Sequence, residues 1–404
     1  MISLDFQKLA RVAPLVLTMA VVVPTATLTV KLWRGFTGVA KSTIEPGQIA
    51  RPSPTPVIAA ETKISAAQAI ARYTSTPPRR ASDYFHRWRF VGLAGPYAVN
   101  SALRGDVERV LRQADFRRTF PRSPPLFFRS SYGWEVRQRT APNVQRHWEY
   151  EHHVDQFLAT CAEIDVPLGL SVDTNTGSFT VGELLDASRR SFDASQEICW
   201  SLVAYCGYLP DEMRWENRFG ETCSYESMAE AILALPFARG SCGGTHKQFA
   251  LAFLLRHASP RSISADLRQR CEDYLSKSSR LLERSQLPNG AWSPLWANGS
   301  SSVSDNPDDG PIRGDDLVRI TGHQLEWIEI VPTFSRPSSD CISRALQFLI
   351  DGLKRSDATS IQRDYCAYSH AACVLQRALL SDHVLVSAEV ARNSDDGNDI
   401  VSRP

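Results

Sequence analysis

Three histidines in the chain share one local pattern, in which small or polar residues precede the histidine and an apolar run follows it. The three units are residues 241–246, 321–323 and 368–370, and they end at His246, His323 and His370. Small residues allow a tight turn before a helix begins. We therefore predict three histidine-bearing helix starts that face one cavity, where the helix dipole disfavours imidazolium and keeps each ring neutral.

Glu326 follows His323 by three residues, which places both side chains on one face of a helix. A histidine and a carboxylate form an acid–base pair suited to proton transfer at a sugar carbon or to elimination. Zinc binding by Cys242, His246 and His323 is an alternative, and so is a purely structural role in which each histidine closes a helix. The prediction is acid–base catalysis by His246, His323, Glu326 and His370, with no metal and no cofactor.

Aromatic residues are dense in the stretch that precedes the first histidine unit, and further tryptophans lie near the second unit. Aromatic cavity walls suit either sugar stacking or an apolar polyprenyl chain, although packing in the protein core is the alternative role. The predicted substrate-binding residues are Trp200, Tyr205, Trp215, Trp292 and Trp327.

Helical spacing of apolar residues dominates the chain after residue 147, and no long run alternates with period two. Residues 249–255 are apolar all round and precede the amphipathic residues 267–285, and the short segment 325–331 precedes the amphipathic residues 342–353. An alternation of fully buried and half-buried helices is typical of inner and outer layers. We predict a mostly α fold, an α/α toroid over residues 82–381.

The ends of the chain differ from this body. Residues 12–30 carry no charge, and a helix of that length spans about 28 Å, close to one bilayer core. We predict a tail and single-pass anchor over residues 1–34, with the main domain outside the cytoplasm; a cleaved signal peptide is the alternative. Residues 35–81 are predicted to be a proline-rich linker, and residues 382–404 a disordered acidic tail.

Charge and cysteine content narrow the possible partners. The net charge is +1, but fifteen arginines and only five acidic residues lie between Arg72 and Arg146. This cationic stretch supports a second hypothesis, a non-catalytic toroid that binds a partner protein or an anionic envelope polymer. No nucleic-acid motif accompanies it, so no nucleic-acid partner is predicted. The nine cysteines are odd in number and suggest no disulfide framework.

Gln286, Gly290 and Trp292 form a Gln-x-x-x-Gly-x-Trp element. This element resembles the repeat of the terpenoid-cyclase and prenyltransferase α/α toroids. The resemblance implies that the glutamine amide caps backbone groups at a helix end while the tryptophan packs over the turn. The acidic motif of the cyclases and the zinc ligands of the prenyltransferases are not found, so their catalytic residues do not carry over.

The stretch from Gly322 to Glu326 is similar to the Gly-His-x-x-Glu turn of sugar 2-epimerases with an (α/α)6 barrel. The overall layout also resembles bacterial proteins that combine an N-terminal anchor with such a toroid. Together these resemblances imply a membrane-anchored toroid whose central cavity takes a sugar or an isoprenoid-type ligand.

Overall fold

The computed structural model describes residues 60–93, 105, 118–121, 124–138, 151–174, 176–300 and 312–395, with side chains described up to residue 380. These residues lie within one compact unit, Ala50–Pro404. The predicted anchor at residues 12–30 falls outside them. Within the part of the chain that the structure describes, no helix combines the length and the apolar character needed to cross a bilayer.

The described residues are mostly helical, as predicted, and form twelve α-helices. The helices are α1 (Ala60–Ser75), α2 (Ala81–Leu93), α3 (Gln156–Glu163), α4 (Val181–Ser191), α5 (Cys199–Tyr208), α6 (Tyr225–Leu233), α7 (Thr245–His257), α8 (Ala265–Ser285), α9 (Gly314–Ile330), α10 (Ser339–Arg355), α11 (Ala358–Arg363) and α12 (Tyr365–Asp395).

Six short strands pair as three antiparallel two-stranded hairpins. They are β1 (Phe127–Arg129) with β2 (Trp134–Val136), β3 (Ser171–Thr174) with β4 (Gly177–Thr180), and β5 (Trp215–Glu216) with β6 (Thr222–Cys223). Strands this short do not form a sheet core, so the helices carry the packing.

Six of the helices pack against one another in a cyclic order. Helix α2 packs against α3, α3 against α5, α5 against α7, α7 against α9, α9 against α12, and α12 against α2. The other long helices pack against members of this set: α1 and α10 against α12, α4 against α3, α6 against α5, and α8 against α7. The first turns and middle of α7 are buried all round, whereas α8 buries one stripe, as the sequence pattern predicts.

Two helices lie in or extend into the predicted linker and the predicted tail. Helix α1 lies within the predicted linker 35–81, yet Ala66, Ala69 and Tyr73 are fully buried and the helix packs against α10 and α12. Its alanines permit close helix packing, which the neighbouring prolines obscure in the sequence. At the other end, the backbone of α12 continues as a helix to Asp395, into the predicted disordered tail 382–404.

The Gln286 element joins two neighbouring helices. Gln286 ends α8, and its amide nitrogen donates to the carbonyl of Gly290 at 2.9 Å and to that of Cys341 in α10 at 2.8 Å. The indole nitrogen of Trp292 donates to the carbonyl of Leu282 at 2.9 Å. The indole of Trp292 thus caps a carbonyl in the last turn of α8, and the Gln286 amide links the turn at Gly290 to α10 instead of capping the end of α8, so the two side chains differ from the roles that the resemblance implies.

Candidate functional site

Five histidines lie in one continuous cluster between the cyclically packed helices. The ring centroids of His153 and His246 are 4.6 Å apart, those of His246 and His323 5.0 Å, those of His323 and His370 3.7 Å, and those of His370 and His86 5.3 Å. Four of the rings are buried, and His153 is 16% exposed. We call these five residues the histidine cluster. It unites α2, α7, α9, α12 and the segment before α3.

Glu326 organises one half of the histidine cluster. Its carboxylate lies 2.9 and 3.0 Å from Nδ1 of His370 and 3.6 Å from Nδ1 of His323. Arg89 Nη1 donates to the same carboxylate, and its Nε and Nη2 donate to the carboxylate of Glu163 at 2.8 and 2.7 Å. An ionised carboxylate only accepts hydrogen bonds, so Nδ1 of His370 carries the proton and Nε2 is left as the basic nitrogen.

Glu197 organises the other half. One of its oxygens lies 2.7 Å from Nδ1 of His153, and the other lies 2.7 Å from Nδ1 of His246. The hydroxyl of Ser241 donates to it at 3.0 Å. By the same reasoning, His153 and His246 keep Nε2 as the free nitrogen. Each of the two glutamates thus fixes the tautomer of its histidine neighbours.

Burial lowers the pKa of the four buried histidines of the cluster, His86, His246, His323 and His370, so that these rings are neutral at physiological pH. Burial lowers the pKa of His246 to about 3 and that of His323 to about 3. Burial raises the pKa of Glu326, but Arg89 and His370 outweigh it and hold that pKa well below its ordinary value. A neutral imidazole beside an ionised carboxylate is the protonation state required of a general base or of a metal ligand.

Two glycines allow the histidines to approach. A Cβ on Gly322 would lie 2.9 Å from Cβ of His370, so only glycine lets α9 and α12 pack this closely. Gly244 ends the turn before His246 with φ +82°, and a Cβ there would lie 2.1 Å from the carbonyl oxygen of Phe237. Both glycines belong to the histidine units that the sequence singles out.

The structure brings His246, His323, Glu326 and His370 together, as the sequence predicts. The helix-start interpretation holds for His246, the second residue of α7. It is wrong for His323, because residues 321–323 lie in the middle of α9, and for His370, because residues 368–370 lie inside α12, which begins at Tyr365. Gly322 suggests a turn in the sequence, yet it serves helix packing instead.

The predicted substrate-binding aromatics divide into two groups. Trp200 contacts the histidine cluster, with its ring centroid 4.9 Å from that of His246. Tyr205 and Trp215 pack on each other at 5.4 Å, and the hydroxyl of Tyr205 bonds Ser188. Trp292 and Trp327 are fully buried, and Trp327 donates to Gln324. A ligand contact by these last four residues stays a prediction.

Several functional side chains were missed by sequence reasoning. Arg89, Glu163 and Glu197 are single charged residues in otherwise unremarkable segments, and only tertiary packing joins them to the histidines. His153 belongs to an acidic and histidine-rich stretch that the sequence suggests is solvated. A signal for His86 and Arg89 exists in their spacing of three residues on α2, a helix with charged residues on its buried face.

Within the described part of the chain, four overlapping groups of side chains have ligand atoms within 4.8 Å of one another and could hold a metal ion. They are His86–Cys366–His370, Cys242–His246–His323, His153–Glu197–His246 and His323–Glu326–His370.

Comparisons of the chain with protein-family models, with curated proteins and with solved structures find no match. The resemblances to toroid families therefore stay predictions, and the site has to be interpreted from its own geometry.

Proposed function

We propose that this chain is an α/α toroid enzyme, anchored to a membrane through residues 12–30, that moves a proton on a sugar-type ligand. The cyclic packing order of α2, α3, α5, α7, α9 and α12, with the remaining long helices against them, supports the toroid. The observation that carries the function is the contact of Glu326 with both Arg89 and Nδ1 of His370. That contact leaves an oriented neutral imidazole among buried polar groups.

The polarity of the cluster favours a sugar over an isoprenoid. An isoprenoid chain requires an apolar cavity, because burying polar groups without partners costs about 1–3 kcal/mol each. Here five imidazoles, a guanidinium and carboxylates meet, and Trp200 and Phe249 are the aromatic residues whose rings contact them. Hydroxyl and carbonyl groups of a sugar can bond to such groups, whereas a hydrocarbon cannot.

Each residue has a role in this proposal. His370 is the general base, since Glu326 holds its Nδ1–H and stabilises the imidazolium that forms when Nε2 takes a proton. His323, whose ring centroid lies 3.7 Å from that of His370, packs against the base and holds its ring in place. Arg89 keeps Glu326 ionised, and Glu163 keeps Arg89 in place.

The alternative, a non-catalytic toroid that binds an anionic polymer through residues 72–146, has less support. Arg87 and Arg89 belong to that stretch but are buried. Arg87 donates to the carbonyls of Thr74 and Thr76, and Arg89 donates to two glutamates. Both arginines therefore serve the interior and cannot form a docking face.

The test is solvent exchange of the proton on the carbon next to a sugar carbonyl. The full chain, purified in mild detergent, is incubated in D2O with a panel of aldoses, ketoses and N-acetylhexosamines, and exchange is followed by proton NMR. We expect exchange in at least one sugar and a loss of about 10²-fold or more in His370→Ala, the usual contribution of a general base.

His257→Ala is the matched control, because His257 lies on α7 but stacks on Phe253 outside the cluster. It should exchange at the wild-type rate, and both variants should keep the wild-type helical circular dichroism. Absence of exchange across the panel, or a wild-type rate in a folded His370→Ala, would overturn the proposal.

A further inference from the structure

We propose that Cys242, His246 and His323 bind a zinc-like divalent ion, with a fourth coordination position left open. The three side chains offer one cysteine sulfur and two imidazole nitrogens within 4.8 Å of one another. This inference goes beyond the proton-transfer proposal and does not depend on it.

The unpartnered nitrogen of His323 is the observation that points to a ligand. Its Nε2 is buried and has no hydrogen-bond partner among the residues that the structure describes, although a buried polar atom without a partner costs about 1–3 kcal/mol. A metal ion is one ligand that would satisfy a neutral imidazole nitrogen in such a place. The thiol of Cys242, on the turn that delivers His246, is its neighbour within the group.

A carboxylate lies beside the Nδ1 atom of each of these two histidines. Glu197 binds Nδ1 of His246 at 2.7 Å, and Glu326 lies 3.6 Å from Nδ1 of His323. Histidines that bind metals commonly direct one nitrogen to a carboxylate and the other to the ion. The carboxylates therefore leave Nε2 of each ring for coordination and fix the ring orientations.

The other possible groups compete less well. The two that include Glu197 or Glu326 would have to use carboxylate oxygens that already accept hydrogen bonds from histidines. In the group of His86, Cys366 and His370, only His370 has a carboxylate behind it; among the described residues, none is hydrogen-bonded to the ring of His86. Among the groups that the described residues form, Cys242–His246–His323 includes the unpartnered nitrogen of His323 and leaves both glutamates outside the set of ligands.

The donor types select the ion. One sulfur and two nitrogens suit zinc or cobalt, whereas magnesium and calcium require oxygen ligands. Bonds of about 2.3 Å to sulfur and about 2.0 Å to nitrogen place tetrahedral ligand atoms about 3.3–3.6 Å apart. The ligand atoms lie within 4.8 Å of one another, and side-chain movements of roughly 1 Å would bring them to these tetrahedral separations. Three protein ligands and one open position are the arrangement of catalytic zinc sites.

The test uses cobalt as a spectroscopic probe on tag-free full chain that has been stripped with a chelator. We expect one equivalent of Co²⁺ to give visible ligand-field bands of tetrahedral intensity and an ultraviolet thiolate-to-cobalt charge-transfer band, both displaced by zinc. Cys242→Ser should lose the charge-transfer band, and His246→Ala and His323→Ala should weaken cobalt binding at least tenfold.

Cys366→Ser and His257→Ala are the controls and should bind cobalt as the wild type does. Absence of binding, ligand-field bands without charge transfer, or loss of the band in Cys366→Ser instead of Cys242→Ser would each overturn the assignment. A second measurement needs no variant: zinc should slow alkylation of Cys242 in the wild type, followed by mass spectrometry. Alkylation at an unchanged rate would also refute the site.

Because metal binding is measured without any sugar, its failure is distinct from failure of the proton-transfer proposal. Proton exchange by a chelator-stripped protein that binds no metal would support the proton-transfer proposal and refute the metal site. Tight cobalt binding without proton exchange would support the metal site and refute the proton-transfer proposal.

Discussion

Replacing Arg89 by methionine should lower the free energy of unfolding strongly while changing the side-chain volume little. Arg89 is 4% exposed and donates to the carboxylates of Glu163 and Glu326, which are 4% and 1% exposed. Methionine preserves much of the aliphatic packing but leaves both carboxylates buried without their cation. Removing one partner of a buried ion pair costs about 3–5 kcal/mol of folding free energy.

The pH dependence of this loss identifies its cause. In the wild type the pKa of Glu326 is below its unfolded value, so its stabilisation is present above the unfolded pKa and is lost as the pH falls through the folded pKa. Without Arg89, burial dominates and raises that pKa. The difference in unfolding free energy between the variant and the wild type should therefore be largest near pH 8 and shrink towards pH 5.

Urea denaturation followed by circular dichroism measures these differences. Arg270→Met is the matched control, since Arg270 also binds a glutamate, Glu230, but both are nearly half exposed; its loss should be much smaller. The double variant Arg89→Met/Glu326→Gln should recover part of the stability by removing one buried charge. If Arg89→Met costs no more than Arg270→Met, or if its cost does not depend on pH, the electrostatic account of the site is wrong.

Three further outcomes follow from the same structure. Gly322→Ala should lower the unfolding free energy by about 1–3 kcal/mol by pushing α9 from α12, whereas Gly314→Ala, with open space around it on the same helix, should be neutral or slightly stabilising in urea denaturation. Gln286→Ala should cost about 1–3 kcal/mol by leaving two carbonyls without donors, and the exposed Gln347→Ala should cost far less in the same assay. Wild-type stability should fall between pH 6.5 and 5, because the unfolded chain binds protons that the buried histidines, with a pKa of about 3, do not; each contributes about 1.4 kcal/mol per pH unit, and a flat profile would contradict this.

The helical class and the convergence of the main histidines could be predicted because both follow from patterns of residues that are close together in the sequence. Apolar spacing gives the helices, and the small residues before His246 mark a turn that the structure contains. The interpretation of small residues as a turn is wrong at His323, because a glycine near a helix can have either of two roles. It can end a helix, or it can let another helix approach, and Gly322 does the second.

Apart from Glu326, the charged residues of the site could not be predicted, because they are distant from the histidines in the chain. Arg89 and Glu326 meet only because α2 and α12 come together and α9 packs on α12. Glu197 reaches His153 and His246 from the segment before α5. Nothing in the spacing of single glutamates distinguishes such residues from solvated ones. A buried arginine is the kind of residue that composition alone would assign to the surface.

The balance of charge at the site links the two proposals. At the histidine cluster, Arg89 contacts Glu163 and Glu326, and Arg377 lies 3.9 Å from Glu326 and 3.2 Å from Glu329. Glu197 contacts His153 and His246. The carboxylates outnumber the guanidiniums, so the field at the histidine cluster favours a cation and disfavours an anion. A zinc-like ion would offset this excess, whereas a phosphorylated or sulfated sugar would add to it. Neutral sugars should therefore exchange faster than their phosphate esters, and zinc should narrow that difference.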